Sequence, residues 1–264
     1  MTRNCRGFFK VLVLITAIAG FVLPAQAGWI EVDKSGDKSL SSEGREKEIP
    51  QDKSQEWDMH DINKGIITSV DPTNKAYTEA TLDEMCKVYK KIGEDMGKAT
   101  SPQQRAMMEQ MMAMQPKEPP KVFVKNAGKS DTIAGFKTTK YIVTANGKPF
   151  SELWITTNAS PLKDITKYGK KKNIYAQKMA KCMAAMGGFM ASMSNSPEFS
   201  PEYLKIKDEK GWVLREIKYE GENFPVFETD VVKLEKRKIP GSEFNPPAGY
   251  KKLTYLEWMR ARMQ

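Results

Sequence analysis

Polar and apolar residues alternate with a two-residue period from Lys121 to Thr157, and the alternation predicts three strands. Val122 to Lys125 points in and out by turns. In Thr139–Thr144, Tyr141 and Val143 share one face and Ile142 takes the other. In the third strand Leu153, Ile155 and Thr157 oppose Trp154 and Thr156. Turn residues separate the three at Asn126–Lys129 and Ala145–Lys148. Asn146-Gly147 is the stronger signal, because both residues tolerate the positive φ of a tight hairpin. The stretch predicts an antiparallel meander from which the rest of the sheet grows.

The chain ahead of it keeps the same rhythm. Trp29–Val32 opens a strand that Ser35–Lys38 turns. Residues 39–48 are so polar that any strand there is expected to face solvent or lie at an edge. Glu56–Ile62, Ile66–Val70 and Lys75–Glu79 follow, punctuated by Asn63-Lys64-Gly65 and by Asp71–Asn74, and they predict successive hairpins in a curved meander. At Thr81 the period changes. Thr81 and Glu84 have capping-box spacing, and Leu82, Met85, Val88, Tyr89 and Ile92 fall on one helical face. A second helix is expected from Ser101 to Met114, with Pro102 at its first position. Beyond the central meander, Pro161–Ile165 begins a short helix and Lys170–Lys172 reads as a solvated loop. Residues 173–194 read as the longest helix, interrupted at Gly187-Gly188. Strands resume at Trp212–Tyr219 and Val226–Glu235. A Pro-rich extended passage then leads to a short terminal helix.

The first 27 residues stand apart from this pattern. Arg3, Arg6 and Lys10 precede an apolar run, Val11–Leu23, too short to span a membrane, and Ala25-Gln26-Ala27 has the small-x-small form of a cleavage site. Residues 1–27 therefore read as a signal peptide cut after Ala27, and residues 28–264 as one soluble periplasmic domain without repeat or linker. Cys5 lies upstream of the apolar run, so it cannot be a lipid-bearing cysteine. The formal net charge is +9, but three of the basic residues belong to the signal and the remaining lysines are scattered. Together with export, that argues against nucleic acid as a partner and allows at most peripheral contact with an anionic membrane.

Little in the chain suggests a reaction. Its one histidine, His60, sits in a polar strand, and there is no G-x-S-x-G, phosphate-binding glycine loop or C-x-x-C. No catalytic residue and no cofactor are expected. The 16 methionines are the anomaly: Met107, Met108, Met111, Met112 and Met114 crowd one helix, and Met179, Met183, Met186, Met190 and Met193 line another at 4-3 spacing. One reading is core packing, since any core-facing stripe has that spacing. A second is a flexible lid over an apolar or lipid-like ligand, touching it through Met107, Met111, Met112, Met179, Met183, Met186 and Met190. A third is Cu(I), held by Met108, Met111, Met112 and Cys182. Cys86 and Cys182, each in a predicted helix, are either a disulfide, two buried thiols or soft metal ligands.

The order of these pieces resembles a family. Ile133-Ala134-Gly135-Phe136, Lys140-Tyr141 and Glu152-Leu153-Trp154 follow one another as an I-x-G-aromatic turn, a Lys-Tyr strand and an acidic-x-Trp strand, and Pro247-Ala248-Gly249-Tyr250 closes the chain. With the signal and the meander at 61–79, this is similar to uncharacterised exported bacterial proteins related to the periplasmic lipoprotein carriers and outer-membrane lipoprotein receptors. The resemblance covers most of residues 29–252. It implies an α+β fold: a strongly curved antiparallel sheet, an unclosed β-barrel, with helices at about 81–115 and 161–195 covering the concave face. It departs from the carriers in its long Met-rich helices and in lacking a match to the carriers' lid-engaging arginine. The implied function is non-enzymatic binding of an apolar or amphipathic ligand between sheet and helices. Cu(I) binding and a structural envelope role with a protein partner are the alternatives.

Overall fold

The computed structural model describes residues 26–99, 118–186, 195–220 and 224–262, with a few isolated positions between 100 and 117. Six strands come first: β1 (Gln26–Asp33), β2 (Lys38–Ser42), β3 (Arg45–Ile49), β4 (Trp57–Asp61), β5 (Ile66–Asp71) and β6 (Ala76–Thr81). Helix α1 (Leu82–Ala99) follows, then β7 (Val122–Ile133), β8 (Phe136–Ala145) and β9 (Lys148–Thr156). Helices α2 (Ala159–Met186) and α3 (Pro201–Asp208) precede β10 (Trp212–Glu220) and β11 (Phe224–Ile239). The chain ends in β12 (Lys251–Leu253) and helix α4 (Tyr255–Arg262).

Among the described residues these strands make one unclosed α+β sheet in the order β12-β6-β5-β4-β3-β2-β1-β11-β10-β9-β8-β7. Every pairing is antiparallel except β12 beside β6. Strand β11 joins the two halves. Its residues Phe224–Asp230 pair with β10 and Val231–Ile239 pair with β1, and bulges at Val32/Asp33 and Glu216/Ile217 flank the changeover. A bulge adds twist and bends its strand, so the sheet curves where its two halves meet.

The turns follow local chemistry. Asn146-Gly147 has both φ angles positive, 51° and 80°, as a two-residue hairpin between antiparallel strands requires. Ala134-Gly135 (47°, 81°) and Glu43-Gly44 (49°, 75°) do the same. Asn126–Lys129, expected as a turn, is a bulge within β7, which runs on to Ile133. The meander at 121–157 also lies at one end of the sheet and is not its origin. Residues 39–48 form no edge: β2 and β3 are interior strands, and Leu40 and Ser42 are buried.

Helix α1 starts on the expected capping box, with the Thr81 amide donating to Glu84 Oε2 (2.8 Å) and the Glu84 amide to Thr81 Oγ1 (3.3 Å). Leu82, Met85 and Ile92 are its buried face. Helix α2 corrects the expectation of a short helix, a loop and a long helix. It runs unbroken through Lys170–Lys172. Gly169 allows this packing, because a Cβ there would sit 2.0 Å from the Asp208 carbonyl oxygen at the end of α3. Helix α3 begins on Ser200, whose side chain accepts from the Tyr203 amide, with Pro201 in the first turn. It drives Tyr203 and Ile206 onto Val122, Val143, Leu153, Ile155 and Val213, the larger of two apolar clusters among the described residues. Buried Glu216 beside that cluster accepts from the Tyr203 hydroxyl and from Lys207 Nζ (2.9 Å), so the carboxylate enters the core paired. Trp29, Ile133, Leu214, Val231 and Leu234 form the second cluster.

Neighbouring residues of β3 show how the sheet is covered, since successive side chains on a strand face opposite ways. Glu46 pairs with Lys172 of α2 on one face. On the other, Lys47 Nζ donates to the Glu243 carbonyl (2.9 Å) and the Arg45 guanidinium lies 4.6 Å from the centre of the Phe244 ring. The Pro-rich passage thus crosses the face opposite α2 on its way from β11 to β12. Cys86 and Cys182 are a disulfide, Cα–Cα 5.5 Å, tying α1 to α2. Among the described residues no helix is long and apolar enough to cross a membrane.

Candidate functional site

The register of the first meander places Glu46, His60, Ile67 and Ala80 side by side on one face of β3–β6. Helix α2 passes over that face, and between them lies a cleft of about 650 Å³. His60, Ile66 and Ile67 contribute from the sheet, Asn63 and Lys64 from the β4–β5 turn, and Lys171, Ile174, Tyr175 and Lys178 from α2. The lining is mixed. Isoleucines and Leu82 are interspersed with lysines and with Asp61 and Asp83.

At its inner end the cleft meets a group of charges held between β1, β3, α2 and α3. Lys172 Nζ is 2.5 Å from Glu46 Oε1. Burial works against the Lys172 charge, yet Glu46 and Asp208 together hold it above the ordinary lysine value. Burial pushes the Asp208 carboxyl up, opposed by Lys172 and Lys207. Glu31 shows the larger effect: desolvation carries it to about 7, against the hydrogen bond it accepts from Trp212 Nε1 (2.6 Å), with Asp33 and Glu46 adding repulsion. A second buried polar contact lies nearby, where Asn173 Nδ2 donates to Glu209 Oε1 (2.5 Å). Among the described residues no three His, Cys, Asp or Glu side chains are placed to hold a metal ion.

The Glu31 shift has a sign that can be measured. In the unfolded chain a glutamate ionises near 4.3, whereas folded Glu31 keeps its proton to about 7. The folded state therefore binds the extra proton between those values, and stability falls as pH rises through that window. Glu31→Gln retains an oxygen that can accept from Trp212 and removes the titration. Urea unfolding is expected to show the variant more stable by on the order of 2 kcal/mol at pH 8 and little changed at pH 4. Equal stability at pH 8 would count against a half-buried, proton-holding Glu31.

Among the described residues no methionine lines the cleft. Met107, Met108, Met111, Met112 and Met190 lie outside the described residues, and of the Met186 side chain nothing is described. Met179 is half-buried and Met183 buried, on the inward face of α2 near the disulfide, and neither lines the cleft. Met85 takes a packing role, accepting from the Tyr175 hydroxyl at 3.8 Å. Cys182 is bonded to Cys86, so the copper arrangement lacks its thiolate in the oxidised protein. Ile67, Ile174 and Lys178 are cleft residues that sequence reasoning did not single out, and His60, weighed there only as a catalytic base, joins them. The signal for them is weak, because they come together only when α2 crosses β3–β5.

No family model matches the chain, and no curated protein matches it. Among solved structures, it is similar to an uncharacterised conserved protein from Thermus thermophilus, at 7% identity and a TM-score of 0.40, over 89% of this chain and 91% of that one. It is also similar to PNGF-II, at 10% identity and a TM-score of 0.37, over 89% of this chain and 33% of that one. At those TM-scores neither likeness carries an argument about fold or function.

Proposed function

We propose that this is an exported, non-enzymatic binding protein of the lipoprotein-carrier type, holding an amphipathic ligand in the cleft between α2 and the β3–β5 face. The observation that carries the reading is the cleft itself. Its volume of about 650 Å³ lies within the range of roughly 300–1,000 Å³ usual for small-molecule sites. Apolar walls at Ile66, Ile67, Leu82 and Ile174 suit a chain, and the charged rim at Lys171, Lys178 and Asp61 suits a polar head. Of the apolar and lipid-like ligands that the methionines suggested, an amphipathic one fits this mixture better. Export to the periplasm, with cleavage after Ala27, belongs to the same proposal and rests on the leader sequence.

Ile174 tests it with little disturbance of the fold. The side chain is 57% exposed, so Ile174→Asp should change stability by no more than about 0.5 kcal/mol. Protein purified gently from periplasm is expected to carry a bound mass in the lipid range by native mass spectrometry and to take up a fluorescent fatty acid. The variant should take up the probe at least roughly ten-fold less tightly, the cost of setting a charge against an apolar tail. A wild-type protein that carries no bound mass and takes up no probe ends the proposal.

A further inference from the structure

Helix α2 carries seven lysines against one acidic residue, Asp164. At 100° per residue, Lys167, Lys170, Lys171, Ile174, Lys178 and Lys181 fall within an arc of about 100°. All six are exposed, and none of the five lysines is in an ion pair among the described residues. The opposite arc holds Tyr168, Lys172, Asn173, Cys182 and Met183, which face the protein. Among the described residues the helix thus turns the ion-paired Lys172 inward and a line of lysines without ion pairs outward, spanning about 21 Å from Lys167 to Lys181.

We propose that the outer face of α2 docks on an anionic phospholipid bilayer. An acidic protein would be the other source of complementary charge, but the face lacks what a protein partner uses. Specific interfaces are built around aromatic or arginine anchors seated in pockets, and lysine is depleted from them. This arc holds no arginine and no aromatic residue. It offers flexible point charges in a line, which suit the diffuse negative potential of lipid phosphates. The apolar side of α2 is committed to the fold, so binding is electrostatic and superficial, with Ile174 alone available to touch the acyl boundary. Lys171, Ile174 and Lys178 also line the cleft, so a docked molecule presents the cleft mouth to the membrane.

The test is sedimentation of the full chain with vesicles of phosphatidylglycerol and phosphatidylcholine, beside vesicles of phosphatidylcholine alone. Binding is expected only to the anionic vesicles and is expected to vanish near 0.5 M salt, where the Debye length shrinks to roughly 4 Å. Each lysine near such a surface is worth roughly a five-fold gain in partitioning, so the triple variant Lys171→Glu, Lys178→Glu, Lys181→Glu should bind at least a hundred-fold less. A control with the same net charge reverses Lys125, Lys137 and Lys238, which are exposed elsewhere. It is expected to lose ten-fold or less. Equal loss in both triples, equal binding to neutral vesicles, or retention on polyglutamate without vesicle binding each overturns the inference. Vesicle binding does not require an occupied cleft, so a protein that binds vesicles and takes up no fatty acid keeps this inference and loses the previous one.

Discussion

Replacing Cys86 and Cys182 together by serine is expected to lower the melting temperature by roughly 10–15 °C. The bridge spans 96 residues of sequence, and in the loop-entropy account a closure of that length contributes about 4–5 kcal/mol. The structure adds a reason to expect the full amount. The bridge ties α1 to α2, and α2 in turn covers the β3–β5 face and abuts α3, so its loss loosens the cleft wall as well as the unfolded chain's constraint. Calorimetry with and without reductant separates the two states: reductant should move the wild type to the variant's value and leave the variant unmoved. A variant melting within about 3 °C of the wild type would mean that packing alone holds the helices in place.

The second large effect comes from a single methyl group. Gly169→Ala is expected to destabilise by about 3 kcal/mol, or roughly 6–12 °C, although helix propensity alone favours alanine over glycine by about 1 kcal/mol. The added Cβ would lie 2.0 Å from the Asp208 carbonyl oxygen, and a backbone atom has no rotamer by which to move aside. Helix α3 must shift, which disturbs Tyr203 in the core and moves Asp208 away from Lys172. The reversed sign is the informative part. A stabilised Gly169→Ala protein would show that α2 and α3 do not meet there.

Much of the sheet was legible because its hairpins are local. Trp57–Thr81 reads as strand, turn, strand, turn, strand, and the structure has those elements within a residue or two. Asn146-Gly147 and the Thr81 capping box are equally local signals, and both appear as read. The failures share a cause in long-range contacts. Residues 39–48 read as solvent-facing or edge because Glu46 and Lys47 find their partners 126 and 196 positions away, at Lys172 and Glu243, and pairing that distant leaves no mark on the local pattern. Lys170–Lys172 looked like a loop for the same reason, with glycine and three charges in a row. Gly169 was needed for a helix crossing, and Lys172 for a carboxylate on β3. The cleft was illegible throughout. Methionine spacing drew attention to the inward face of α2, whereas the cleft is lined by isoleucines, lysines and His60 whose neighbours are set by the crossing of α2 over the sheet.

The position of β11 bears on how the chain emerges. Strand β1 has β2 on one side and waits for Val231–Ile239 on the other. In a chain threaded out from its N-terminus, the first six strands form a meander, complete at Thr81, whose leading edge stays unpaired until Val231–Ile239 emerge. Loop-closure entropy makes that last pairing slow, and an open edge strand is a template for pairing with another chain. The exposure therefore ends only with β11. Under the proposed export, a companion that shields β1 until β11 emerges would act when the chain is most prone to aggregate.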